Sequence, residues 1–76
     1  MPRITPISAK KLRKIMKKAG FVCVRTEGDH FVYVKTGTPR PVVIPDWDEV
    51  SVFNIKNNLR TAGLSREEYF HLLDQA

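Results

Sequence analysis

The chain has 76 residues and a net charge of +5, with 13 lysines and arginines against 8 acids. This length allows one domain with a modest core, and a hydrophobic fraction of 42% is too high for a disordered chain. The single cysteine excludes an internal disulfide, and the sequence shows neither the apolar run of a signal peptide nor the roughly 20 apolar residues that span a membrane. We therefore expect a single cytoplasmic domain over residues 1–76, without a membrane partner.

The first predicted element is a helix that follows Ser8, a residue type that caps helix N-termini by accepting a backbone hydrogen bond. Apolar residues then recur at spacings of three and four, as on the buried face of a helix. They are Ala9, Leu12, Ile15, Met16 and Ala19. Gly20 tolerates the left-handed conformation that commonly ends a helix. The helix is therefore expected to end there, with Lys17 and Lys18 at the negative end of its dipole.

Two β-strands joined by a tight turn are predicted next. Residues 21–26 are rich in β-branched and aromatic side chains, and Glu27, Gly28 and Asp29 form a turn signal before a second run at 30–35. Because side chains alternate along a strand, one face of the second strand should carry His30, Val32 and Val34, and the other Phe31, Tyr33 and Lys35. The alternation does not decide which of these faces meets the helices.

A short third strand and a second helix follow. Residues 42–44 lie between two prolines, which favour an edge strand or a strand end. Residues 46–49, Asp-Trp-Asp-Glu, are expected to form an acidic loop or the start of a helix. A second helical stripe ends before Gly63 and consists of Val52, Ile55, Leu59 and Ala62. We expect this helix to pack beside the first.

The last predicted element is a short third helix. Ser65 and Glu68 have the spacing of a capping box, in which each side chain accepts a hydrogen bond from the backbone of the other residue. The resulting order is α-β-β-β-α plus a short C-terminal helix. Short turns between consecutive strands favour antiparallel pairing. The expected fold class is therefore α+β, with a three-stranded antiparallel sheet and helices on one face.

The N-terminal third of the chain is strongly basic, because eight basic residues precede the first acid, Glu27. They are Arg3, Lys10, Lys11, Arg13, Lys14, Lys17, Lys18 and Arg25. Such a patch attracts polyanions, since neutralised phosphates release their counterions. A lysine-rich helix can also serve solubility alone. Charge by itself favours nucleic acid only slightly over that simpler interpretation.

His30 is the candidate catalytic residue. It follows the Gly28-Asp29 turn at the start of a strand, where the sheet would hold its side chain near an accessible rim. Imidazole titrates near neutral pH and can both take and give a proton. An isolated strand histidine is more often structural than catalytic, so the position of His30 alone does not establish a site.

Other kinds of chemistry have little support in the sequence. His30, His71 and Cys23 lack the paired spacing of zinc ligands, and we predict no metal site and no cofactor. The acids of residues 46–49 could hold magnesium, but a surface loop or a helix N-terminus explains them more simply. A P-loop, a dinucleotide fingerprint and a serine-histidine-aspartate order are all missing.

Two further ring-bearing residues invite functional interpretations. Trp47 could stack on a base, as aromatic residues do when they bind single-stranded RNA. A lone tryptophan is more often a core anchor, and we favour the core position. His71 falls within the amphipathic third helix, where we expect a half-exposed, structural histidine.

Motifs spread over nearly the whole chain occur in a fixed order. They are Ser8 and Leu12, Lys18-Ala19-Gly20-Phe21, Arg25-Thr26-Glu27-Gly28-Asp29-His30, Val43-Ile44-Pro45 and Leu59-Arg60-Thr61-Ala62-Gly63-Leu64-Ser65. Their combination resembles the HicA family of toxins, which are paired with HicB antitoxins. The combination is far more specific than any single motif.

This resemblance implies a fold like that of double-stranded-RNA-binding domains and metal-independent cleavage of messenger RNA, with the family's essential histidine falling on His30. It also implies a HicB-like antitoxin that occludes the site. Two features depart from the family pattern. Asp29 stands where serine is common, which adds negative charge beside the expected phosphate, and residues 46–49 are acidic where histidine or basic residues are frequent.

The resulting hypothesis is an endoribonuclease in which His30 takes a proton from a ribose 2′-hydroxyl or gives one to the departing 5′-oxygen. The predicted RNA-binding residues are Lys10, Lys11, Lys14, Lys17, Lys18, Arg25 and Gly28. Among them Lys10, Lys14, Lys17 and Arg25 are candidates to neutralise the phosphate in the transition state. The alternative is a non-catalytic module that binds double-stranded RNA, in which His30 is structural.

Overall fold

The computed structural model describes residues 3–76, which form three helices and three strands. In chain order these are α1 (Ala9–Lys18), β1 (Val22–Glu27), β2 (His30–Val34), β3 (Val42–Pro45), α2 (Val52–Ala62) and α3 (Arg66–Gln75). The strands form one antiparallel sheet in the order β1-β2-β3. The predicted α+β class and element order are confirmed. The arrangement is that of a fold like double-stranded-RNA-binding domains, with an added C-terminal helix.

Helix α1 begins and ends where its sequence predicts. The Ser8 hydroxyl accepts a hydrogen bond from the Lys11 backbone N–H at 3.2 Å, which satisfies one of the free donors of the first turn. The buried residues are Ala9, Leu12, Ile15 and Met16. Gly20 has φ +99°, a conformation that L side chains rarely adopt. The stripe of four apolar residues therefore fixes α1 on the core, and its lysines remain outside.

The hairpin of β1 and β2 has a two-residue loop. Glu27 pairs with His30, so that Gly28 and Asp29 alone form the turn. Gly28 has φ +58° and occupies the first central position, where a type II′ hairpin turn requires positive φ. A bulge between Cys23 and Arg25 interrupts the pairing further along β1. The turn places His30 at the first position of the central strand.

The two faces of the sheet have different surroundings. Tyr33, Val42 and Ile44 belong to the core on the side of the helices. Because side chains alternate, the opposite face of β2 carries His30, Val32 and Val34. Together with their register partners in the neighbouring strands they form what we call the open face, made of Val22, Arg25, Glu27, His30, Val32, Val34, Val43 and Pro45. Val32 is buried at its centre, whereas Val22 is 63% and Val43 42% exposed.

The helices pack differently from the prediction that α2 lies beside α1. The helix that contacts α1 is α3, and α2 packs mainly against β3. Tyr69 explains this arrangement, because α3 buries this large side chain completely in the core shared with α1. Helix α3 has 10 residues, as many as α1. The predicted capping box of Ser65 and Glu68 is confirmed in both directions.

Candidate functional site

His30 is half-exposed on the open face and is held by its sequence neighbour. Its Nδ1 lies 2.9 Å from Oδ1 of Asp29, and 45% of the imidazole side chain is exposed. An ionised carboxylate can only accept hydrogen bonds, so its nearness favours the form of the ring that carries the proton on Nδ1. In the neutral ring the lone pair is then on Nε2. The geometry therefore leaves Nε2 as the nitrogen that can exchange protons with a ligand.

Two charged residues share the open face with His30. Glu27 is the register partner of His30 on β1, and Arg25 donates from Nε to the Glu27 carboxylate. Both side chains are more than half exposed, and such a solvent-exposed ion pair is weak. A phosphate could therefore compete with Glu27 for the guanidinium. Arg25 is thus the predicted RNA-binding cation that the fold places on the same face as His30.

Three segments of the chain meet at the end of the sheet that carries His30, and backbone hydrogen bonds join them. The Asp46 N–H donates to the carbonyl oxygen of Asp29 at 2.6 Å, and the Ala9 N–H donates to that of Trp47 at 3.0 Å. The β1–β2 turn, the loop at 46–49 and the N-terminus of α1 therefore meet here. The positive end of the α1 dipole points to this region, but the acids of the turn and the loop surround it.

The loop at 46–49 differs from one of its predicted features. Residues 46–49 form an acidic loop, which is one of the two structures predicted for them, the other being the start of a helix. Trp47, however, is 44% exposed and is not a core anchor. The core position is taken by other large residues, among them Tyr69, which is fully buried. The prediction that Trp47 is part of the core is therefore wrong, and its ring remains accessible to a ligand.

The lysines predicted to bind RNA lie along the outer side of α1, and all of them are exposed. Within residues 3–76, no carboxylate forms an ion pair with any of the five. Lys10, Lys14 and Lys17 line a shallow groove together with Arg13 and Tyr33. Lys10 and Lys14 also line a second hollow, together with Lys11 and Ala76. Lys10 and Lys14 therefore border both hollows, whereas Lys18 lines neither of them.

The fold does not bring these lysines onto the face that carries His30. The groove of Lys10, Lys14 and Lys17 lies on the helix side of the sheet, because Tyr33 faces that side. Phe31 connects the two regions. It follows His30 directly on β2, faces the helices, and has the Arg13 guanidinium 3.8 Å above the centre of its ring. His30 and the cation Arg13 are thus adjacent through the backbone of β2 and lie on opposite faces of the sheet.

Arg13 and Tyr33 belong to this region and were not among the predicted site residues. The Arg13 Nε–H donates to the Tyr33 hydroxyl at 2.9 Å. The only sequence signal for Arg13 is its place beside Leu12 at the edge of the buried stripe of α1, from which a long side chain can reach the sheet. The tertiary contact with Tyr33 has no local sequence signal.

The remaining candidates contribute no additional site. His71 is exposed on α3, and its Nε2 lies 3.0 Å from the Gln75 side-chain amide. In the described part of the chain, no group of three or more histidine, cysteine, aspartate or glutamate side chains could hold a metal ion. None of the helices in residues 3–76 has the length and apolar composition needed to cross a membrane.

The structure is that of a small α+β domain with a fold like that of double-stranded-RNA-binding domains and a helix α1 lined with cations. Comparison with protein families identifies it more closely. Residues 9–64, from the start of α1 to just beyond α2, match the family described as HicA toxin of bacterial toxin-antitoxin systems. The match spans more than half of the chain, and the protein belongs to the HicA toxin family. It is thus the toxin of a toxin-antitoxin system, with a cognate antitoxin as its partner. No curated protein matches the chain.

Proposed function

We propose that this toxin is a metal-independent endoribonuclease that cleaves messenger RNA with His30 as its proton-transfer group. The observation that carries the proposal is the half-exposed imidazole of His30 at the start of β2, whose Nδ1 lies 2.9 Å from Oδ1 of Asp29 so that Nε2 is left for a ligand. A general base must be held in place and must have a free lone pair within reach of the substrate. Membership of the HicA family supports the same activity.

The reaction uses the 2′-hydroxyl of the RNA as its nucleophile. Nε2 of His30 takes the hydroxyl proton while the 2′-oxygen forms a bond to the adjacent phosphorus. The bond from phosphorus to the 5′-oxygen breaks, and this oxygen takes a proton from water. The products are a 2′,3′-cyclic phosphate and a 5′-hydroxyl. Proton transfer of this kind contributes about 10²–10⁴-fold to the rate, which suits a modest nuclease.

RNA binding is supported by the uncompensated charge on α1 and by the β1–β2 turn. The predicted contacts are Lys10, Lys11, Lys14, Lys17, Lys18, Arg25 and Gly28. Each neutralised phosphate releases counterions, which drives binding without sequence preference. Gly28 contributes through its left-handed backbone, which turns the chain tightly beside His30. A HicB-like antitoxin would inhibit this single domain, residues 1–76, by covering His30.

The proposal is tested with the two histidines of the chain. The parent protein, His30→Ala and His71→Ala are incubated with a structured messenger RNA in excess EDTA, and cleavage and binding are read on gels. We expect the parent and His71→Ala to cleave, and His30→Ala to bind the RNA without cutting it. His71 is the matched control because it is exposed on α3, away from the sheet.

Two results would contradict the proposal. Undiminished cleavage by His30→Ala would exclude His30 as the proton-transfer group. Binding without cleavage by the parent protein would instead identify the non-catalytic module that binds double-stranded RNA. A melting curve of each variant separates loss of activity from loss of fold.

A further inference from the structure

A groove between α1 and β1 lies on the helix side of the sheet. It has a volume of about 440 Å³, and its lining includes Arg13, Lys17, Phe21, Cys23 and Tyr33. A shallower groove that shares Arg13, Lys17 and Tyr33 extends to Lys10 and Lys14. We call the two together the α1–β1 groove. Its wall is cationic and its floor is largely aromatic.

Arg13 is held in this groove by two independent contacts. Its Nε–H donates to the Tyr33 hydroxyl at 2.9 Å, and its guanidinium lies 3.8 Å from the centre of the Phe31 ring. The first contact fixes the direction of the planar group, and the second fixes its plane. Tyr33 is itself only 5% exposed, so the acceptor cannot easily move. The guanidinium is therefore oriented before any ligand binds.

The terminal nitrogens of Arg13 have no partner within residues 3–76. The Tyr33 hydroxyl occupies Nε alone, and no carboxylate in this part of the chain pairs with the guanidinium. An arginine fork with two free N–H groups matches two oxygens of a phosphate. Lys10, Lys14 and Lys17 add positive charge on the same side of α1. These features together are those of a phosphate site.

We propose that the α1–β1 groove binds a backbone phosphate of RNA and that Arg13 is its bidentate ligand. This inference rests on the proposed ribonuclease function and adds the position of one phosphate. Because the Arg13 guanidinium lies over Phe31, which follows His30 on β2, an RNA strand held by Arg13 can continue around the edge strand β1 to the imidazole. The groove thus explains how cations on one face of the sheet serve a histidine on the other.

The experiment compares variants in the His30→Ala background, so that the RNA stays intact. Binding of a short fluorescent RNA is measured by anisotropy over a range of salt concentrations. Arg13→Lys keeps the charge but loses the planar fork. We expect its affinity to fall about tenfold, with an unchanged dependence on salt. Lys18→Gln is the matched control, because residue 18 lies about 140° around the helix from residue 13. Its loss should be smaller, with a lower salt slope.

Tyr33→Phe provides a second variant that keeps the buried ring. It removes only the hydroxyl that orients Arg13, and we expect a partial loss of RNA affinity in the same direction as for Arg13→Lys. Melting curves confirm that both variants fold. Equal affinity of Arg13→Lys and its background at all salt concentrations would overturn the groove site but leave the ribonuclease proposal standing. Absence of RNA binding and cleavage by the parent protein would overturn both.

Discussion

The central pair of residues, Asp29 and His30, shows how one substitution can change a site in two ways. A carboxylate next to the imidazole favours the proton on Nδ1, which leaves the lone pair of the neutral ring on Nε2. In the proposed reaction the same carboxylate would place a negative charge close to the scissile phosphate. Orientation favours catalysis, whereas the charge opposes binding. The two effects are separable because different replacements remove one or both of them.

Replacement of Asp29 by serine should tighten RNA binding and preserve cleavage. A serine hydroxyl can still accept from Nδ1–H, and the loss of one negative charge removes a repulsion of the phosphate. Asp29→Ala should also bind RNA more tightly but should have a lower kcat, because the ring loses its acceptor. Kinetic measurements of kcat and RNA affinity on both variants test this account. An alanine variant with the kcat of the parent would contradict an orienting role for Asp29.

The sequence shows which residues have side chains suited to a site, but it does not show which of them contact one another in the fold. His30 could be selected because imidazole after a turn is distinctive, and the lysines of α1 because charge is visible in composition. Arg13 could not be distinguished from its basic neighbours, since its contact with Tyr33 joins positions 20 residues apart. The direction of the Asp29 side chain was likewise beyond prediction, because it depends on the backbone of the turn.

At the scale of elements, α3 illustrates how local signals determine helix ends. The Ser65 N–H donates to the Glu68 carboxylate at 2.9 Å, and the Glu68 N–H donates to the Ser65 hydroxyl at 3.0 Å. These partners are three residues apart, so the sequence predicts them reliably. The helix contacts were not predictable in the same way. Which helix lies beside α1 depends on where Tyr69 enters the core, and this involves residues distant in sequence.

The capping box predicts a dependence of stability on acidic pH. The backbone hydrogen bond from Ser65, and then its side chain, hold the pKa of the Glu68 carboxyl below its ordinary value of 4.5. The stabilisation is therefore present above this value and is lost as the pH falls through the lowered pKa. Glu68→Gln should lose less stability than the parent between about pH 6 and pH 3. Urea unfolding of both proteins measures the difference, and parallel losses would contradict this role of the carboxylate.

Tyr69, which follows Glu68, predicts that the stability of the fold also falls at alkaline pH. Burial raises the pKa of the Tyr69 hydroxyl above its ordinary value of 10.0. The unfolded chain then releases this proton more readily, so stability falls as the pH rises above that ordinary value. Tyr69→Phe removes the ionisable group but keeps the ring. Its melting temperature should decrease less than that of the parent between about pH 8 and pH 10.5. An equal decrease in both proteins would show that Tyr69 does not contribute.

At the scale of the whole molecule, the lysines of α1 and the candidate catalytic residue His30 lie on different faces. The lysines follow the outer side of α1, whereas His30 lies beside the Asp29 carboxylate in a turn to which the acidic loop at 46–49 is joined by a backbone hydrogen bond. The sequence predicts both clusters but not their relation, because only the register of the hairpin decides which face His30 occupies. The phosphate site proposed in the α1–β1 groove connects the basic helix to His30. Its arginine, Arg13, lies over the ring of Phe31, and Phe31 follows His30 on β2.

The ends of the cleaved RNA test the central claim most directly. A defined RNA is incubated with the protein in excess EDTA, beside a copy in which the nucleotide at the cut site lacks its 2′-hydroxyl. Attack by that hydroxyl, with His30 as the base, predicts fragments with a 2′,3′-cyclic phosphate and a 5′-hydroxyl, and no cut in the modified copy. Fragments with 5′-phosphate ends, or equal cleavage of both RNAs, would contradict the mechanism.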